Sequence, residues 1–124
     1  MTPEEIIAID AQKNKGGMDP NENRRSLQTM QAAGAQVIKE GDTLFAFIPG
    51  KDLSVELHSF NAAPVNTFIE NTKKVLRMLK KLGVKNAWTE FDDLKLKSAL
   101  DMLAPEFKVS VTKGKRYMAK VVLS

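Results

Sequence analysis

The chain contains no cysteine and a single histidine, His58. Without thiols it has no disulfide, no thiolate nucleophile and no cysteine-ligated zinc or iron–sulfur centre. One imidazole cannot build a histidine metal site, so no metal is expected. Aromatic residues make up only 6%, with one Trp and one Tyr, which leaves little for a platform that stacks single-stranded bases. No apolar run approaches the roughly 20 residues that span a bilayer. The first ten residues carry Glu4 and Glu5, where a secretory signal would be basic. The expectation is a soluble, cytoplasmic protein without a membrane partner.

Hydrophobic residues account for 43% and charged residues for 27% of 124 positions, the balance of one globular domain spanning the whole chain. The net charge of +4 is mild and permits an acidic partner without demanding one.

Residues 1–35 are polar and broken, and read as a helical N-terminal segment that either packs on the domain or serves as a partner-binding arm. Thr2, Pro3, Glu4 and Glu5 suit a capped first turn ahead of Ile6, Ile7 and Ile9. After a loop at residues 16–21, Asn23 can cap a second helix over 24–33 that stops near Gly34. The pattern then turns to strands. Residues 35–39 and 43–48 flank the short connection Glu40, Gly41, Asp42, and Pro49 and Gly50 lead into 53–60. In that third strand Leu53, Val55, Leu57 and Ser59 alternate with Ser54, Glu56, His58 and Phe60. Three consecutive antiparallel strands are the simplest reading.

The spacing of Phe68, Ile69, Thr72, Val75, Leu76, Leu79 and Leu82 predicts an amphipathic helix over 65–82, started by Asn66 or Thr67 and stopped by Gly83. Residues 86–91 read as a strand with Trp88 in the core. Asp92 or Asp93 then caps a helix over 94–103, which ends before Pro105. A hairpin over 107–112 and 116–123 closes the chain around Lys113, Gly114 and Lys115. The fold class is α+β, with a mixed, mainly antiparallel sheet flanked by helices in the order ααβββαβαββ.

That order, over 53–123 in particular, resembles the GNAT family of N-acetyltransferases. In that family a central strand runs into an acyl-CoA pyrophosphate loop and a long helix, followed by a strand, a shorter helix and a terminal hairpin. The resemblance places the central strand at 54–60, the loop at 61–66 and the long helix at 67–82. It implies that the main chain from Leu57 to Phe60, with Ala62, Ala63 and Asn66, would hold the coenzyme, whose phosphates sit on the helix N-terminus. Two departures stand out. The loop has no glycine to let the backbone wrap a pyrophosphate, and Pro64 removes a donor. Where the family often has a tyrosine that protonates the departing thiolate, the spacing from Phe107 lands on Met102, and Glu106 replaces a glycine.

These departures resemble the eroded, short GNAT-like chains of tailed bacteriophages. The leading expectation is therefore a non-catalytic GNAT-like protein, virion-associated or otherwise a component of an assembly of proteins, with no cofactor. The alternative is an acyl-CoA-dependent N-acetyltransferase that uses acetyl-CoA, with His58 and Glu56 on one strand face supplying the base. His58 as an ordinary surface or core histidine, and Tyr117 as packing rather than an acid, fit the same pattern. A third reading assigns nucleic-acid binding to Lys73, Lys74, Arg77, Lys80 and Lys81, which share one side of the long helix. The same residues also fit an ordinary solvated helix face.

Overall fold

The computed structural model describes residues 1–92 and 94–123, the side chains of 94 and 95 excepted. Its elements are α1 (Pro3–Lys13), α2 (Pro20–Ala32), β1 (Gln36–Glu40), β2 (Thr43–Pro49), β3 (Ser54–Asn61), α3 (Val65–Lys81), β4 (Asn86–Phe91), α4 (Leu94–Asp101), β5 (Lys108–Lys113) and β6 (Tyr117–Val122). The six strands form one sheet in the order β1-β2-β3-β4-β6-β5, antiparallel except where β3 meets β4. The α+β class and the order ααβββαβαββ are those expected.

Each helix starts for a local reason. At α1, Thr2 accepts from the Glu5 amide while Glu5 reaches back to the Thr2 amide, a complete capping box. For α2 the start is four residues earlier than expected. Asp19 caps it by accepting from the Asn21 N–H, with Pro20 in the first turn, so Asn23 is not the cap and lies buried inside the helix. α3 begins at Pro64 with no side-chain cap, and neither Asn66 nor Thr67 plays that part. Asp93, one of the two expected caps for α4, lies outside the described residues.

Two apolar clusters sandwich the sheet. On one face α3 and α4 cover Phe45, Phe47, Val55, Ala87, Phe91, Ala119 and Val121 with Ile69, Val75, Leu76, Leu79 and Leu100, joined by Leu103 from the turn after α4. On the other, α1 and α2 bring Ile6, Ile7 and Leu27 onto Leu44, Ala46 and Phe60. Residues 1–35 thus lie against the sheet. Phe60 sits on the polar face of the β3 alternation and is nevertheless buried, because the N-terminal helices roof that end of the strand. Two apolar residues depart from the expected pattern. Leu82 is 69% exposed as the C-cap of α3, so the buried stripe stops at Leu79. Leu53 is 59% exposed and left-handed at φ 59°, part of the turn and not of β3.

Asn71, on the inward side of α3, is buried and donates to Thr43 Oγ1 at 3.1 Å. Gly41 closes the β1–β2 hairpin at φ 56°, and a side chain there would press on Asn71 at 3.2 Å. The turn therefore needs glycine both for its backbone and for its neighbour.

A surface ion pair ties α3 to the segment before β5. Arg77 Nε and Nη2 donate to the Glu106 carboxylate at 2.5 and 2.8 Å. The Arg77 hydrogen bond, and behind it the charges of Arg77, Lys73 and Lys80, hold the Glu106 carboxyl below its ordinary range, while Arg77 is raised by the same bond. A carboxyl depressed on folding contributes stability that is present above its unfolded value of 4.5 and is lost as pH falls through the folded value. Glu106→Gln is accordingly expected to lower the melting temperature at neutral pH, with the difference from wild type vanishing as thermal melts are taken well below pH 4.5. A difference that persists unchanged in acid would show that the pair does not act through its charge.

Candidate functional site

β3 and β4 are hydrogen-bonded in parallel only at Ser54↔Asn86, Val55↔Ala87 and Glu56↔Trp88. Beyond that point each strand stays with its other neighbour. β3 follows β2 as far as Asn61 paired with Thr43, and β4 follows β6 as far as Phe91 paired with Tyr117. The two central strands therefore part after Glu56↔Trp88, and no residue of 57–61 is in register with β4. An apolar cleft of about 80 Å³ opens in the gap, between Leu57, His58 and Ser59 of β3, Trp88 and Thr89 of β4, and the inner sides of α3 and α4.

His58 and Glu56 lie on the face of β3 opposite α3, two residues apart. His58 Nε2 is 3.2 Å from Glu56 Oε2, and both side chains are partly exposed. Nε2 is the ring nitrogen that faces Glu56, so Nδ1 lies on the other side of the ring and, in the tautomer that carries its proton on Nε2, can accept one. Trp88, read from the sequence as core, is only half-buried. It stands beside Glu56 in register and borders the cleft. Tyr117 does pack: its ring stacks on Phe91 at 5.4 Å between centroids and is half-buried. Met102 is 45% exposed and does not line the cleft.

The residues suggested for holding a coenzyme are divided by the fold. Leu57 lines the cleft. The Phe60 side chain points the other way, into the cluster beneath α1 and α2. Ala62 and Ala63 occupy the loop, Ala63 buried, and Asn66 is exposed in the first turn of α3. The main-chain donors of the first three loop residues are engaged inside the protein. Asn61 N–H donates to Asp10 Oδ1 at 3.0 Å, Ala62 N–H to the Asp42 carbonyl at 3.0 Å, and Ala63 N–H to Asn61 Oδ1 at 3.0 Å.

Asp10, which the sequence reading passed over, organises this end of the molecule. It is 2% exposed. Its carboxylate accepts from the Asn61 amide, Asn14 Nδ2 and Asn23 Nδ2, each at 3.0 Å, and pairs with Lys15 Nζ at 2.7 Å. Asn61 extends the network, accepting from Thr43 Oγ1 at 2.7 Å and donating to the Ala63 carbonyl at 2.8 Å. Among the described residues no buried side-chain polar atom lacks a partner. One signal was available: Asp10 lies three and four positions after Ile7 and Ile6, on the buried side of α1.

The basic face of α3 is largely paired. Lys73 meets Glu70 at 3.6 Å, Lys74 meets Glu40 at 3.7 Å and Arg77 holds Glu106. Lys80 and Lys81 occupy the last turn, where cations suit the helix dipole. In the hairpin turn, Arg116 donates to Asp92 at 2.8 Å and Lys113 lies over the Tyr117 ring. Among the described residues no group of three or more His, Asp or Glu could hold a metal ion, and no helix is long and apolar enough to cross a membrane.

No family model matches the sequence, and no curated protein matches it significantly. Solved structures do. An acetyltransferase of the GNAT family from Staphylococcus aureus Mu50 is similar with a TM-score of 0.60 and 14% identity, over 98% of this chain and 92% of that one. An N-acetyltransferase from the same organism is similar with a TM-score of 0.57 and 15% identity, over 99% of this chain and 96% of that one. Both similarities are to acetyltransferases, and the resemblance to bacteriophage chains finds no support in them. At 14% and 15% identity the likeness is one of backbone alone, and on that ground the chain has the GNAT fold.

Proposed function

We propose that this protein is an acyl-CoA-dependent N-acyltransferase that receives its thioester in the gap between β3 and β4. The observation that carries this reading is the parting of those strands beside a histidine–carboxylate pair. A pantetheine arm is narrow and carries two amides. Laid along the inner edge of β3, it replaces the missing strand and pairs with the main chain of 57–59, as an added strand would, short of Asn61 whose N–H and carbonyl are held by Asp10 and Asn14. The apolar floor supplied by α3 and α4 takes the methylene portions.

The amine attacks the thioester carbonyl at the mouth of the gap. A C–N bond forms, the C–S bond breaks, and the amine proton passes to His58 Nδ1 directly or through one water. Glu56 holds the imidazole and stabilises the imidazolium that results. A main-chain N–H of β3 beyond its last pairing with β4, that of Ser59, stabilises the developing oxyanion. Sulfur leaves as the thiolate and takes its proton from water, since Met102 has none to give.

A non-catalytic role as a component of a protein assembly is favoured by one observation, the internal use of the loop amides. Calorimetric titration with acetyl-CoA separates the two. Saturable heat with 1:1 stoichiometry, lost in a variant that fills the cleft such as Ala99→Trp, is expected for the enzyme. No heat and no thermal shift at millimolar acetyl-CoA would leave the assembly role. Nucleic-acid binding through α3 has less to draw on, because three of its five cations already hold carboxylates.

A further inference from the structure

We infer that the protein recognises acyl thioesters by the pantetheine arm and acyl group alone, with the nucleotide of coenzyme A adding little. The inference rests on the transferase reading and concerns the donor. A pyrophosphate held by main chain needs several convergent N–H groups that no other acceptor has claimed.

At the end of β3 those groups are already used. The Asn61 amide is on the Asp10 carboxylate, the Ala62 amide on the Asp42 carbonyl and the Ala63 amide on the Asn61 side chain. Position 64 is proline and has no N–H. To release the Asn61 or the Ala62 amide the loop would have to surrender a bond that also seats α1 or the β1–β2 hairpin, and the Ala63 amide is held locally by the Asn61 side chain. The cation at this end is equally committed. Lys15 is bonded to Asp10 and to Asn23 Oδ1, both at 2.7 Å, and lies over the Phe60 ring at 4.3 Å. The buried carboxylate behind the Asn61 amide disfavours a further anion there. What remains is the exposed, uncapped first turn of α3, where solvent screens the helix dipole. The pantetheine slot is in the opposite condition: its walls are apolar and the edge of β3 is open.

The test is a series of dissociation constants measured by calorimetry on the wild-type protein, with acetyl-CoA, S-acetyl-4′-phosphopantetheine and S-acetyl-pantetheine, and with 3′,5′-adenosine diphosphate as competitor. The expected result is that the three thioesters bind within about tenfold of one another, as loss of no more than one net hydrogen bond allows, and that the nucleotide fails to compete. A preference for acetyl-CoA greater than tenfold, or displacement of acetyl-CoA by the nucleotide, would overturn the inference and leave the transferase reading standing. Failure of all three thioesters to bind would overturn both.

Discussion

Asp10→Ala is expected to be the most destabilising single substitution of a polar residue in this protein, at about 1–3 kcal/mol for each buried donor left without an acceptor. Four donors converge on that carboxylate, from Asn14, Lys15, Asn23 and the Asn61 main chain. Deleting it leaves the ammonium of Lys15 with Asn23 Oδ1 alone and strips the acceptor from the Asn61 amide and from a buried N–H of Asn23. The effect should also be distributed in space, because the same carboxylate joins α1, α2 and the end of β3. Asp10→Asn is the informative companion. Its oxygen can keep Asn61 and Asn14, but its NH₂ then faces the donors of Asn23 and Lys15, so the loss should be smaller and still large. Chemical denaturation gives both values, and hydrogen exchange at the Asn61 and Ala63 amides reports the loop directly. Full protection of those amides in an Asp10→Ala variant would contradict the role assigned to the carboxylate.

His58→Gln should lower kcat/KM for acyl transfer by about 10²- to 10⁴-fold, the usual contribution of a positioned general base, while the dissociation constant for the thioester stays near wild type. The substitution removes the group that accepts the proton and leaves the main chain of β3 in place, so binding and chemistry are expected to separate. Glu56→Gln should have a smaller effect of the same kind, because the amide still positions the ring through its oxygen but no longer stabilises the imidazolium. The measurement is steady-state kinetics with a panel of primary amines, beside calorimetry for the thioester. If His58→Gln retained full turnover, the base would lie elsewhere or the amine would react already deprotonated.

Both predictions depend on contacts of very different legibility. Glu56 and His58 were visible as a pair because a strand alternates with period two, so residues two apart must share a face. That a cleft opens beside them was not visible. It depends on how far β3 keeps company with β2 and β4 with β6, and no local pattern encodes where two parallel strands cease to touch. Asp10 was missed for a related reason: one acidic residue in a short polar helix is usually solvated, and its partners lie up to 51 positions away. Leu53 and Leu82 show the opposite failure. They continued an apolar period that the turn at Asp52 and the end of α3 had already broken. The α2 start was misplaced because Asn23 and Asp19 are both good caps, and the proline after Asp19 favours the earlier one.

The sequence alone determined the α+β class, the order of ten elements, the inward stripe of α3 and the poverty of its loop in glycine. All of these follow from local periodicity, backbone preference and composition, which act over a few residues. Only the tertiary structure decided that the N-terminal helices roof the sheet, that the central strands part beside His58, and that the amides of Asn61, Ala62 and Ala63 are spoken for. Those outcomes are settled by groups far apart in the chain competing for the same few hydrogen bonds and the same apolar surface. Such a competition is resolved when the whole core assembles, because a buried donor must find a partner wherever the fold brings one.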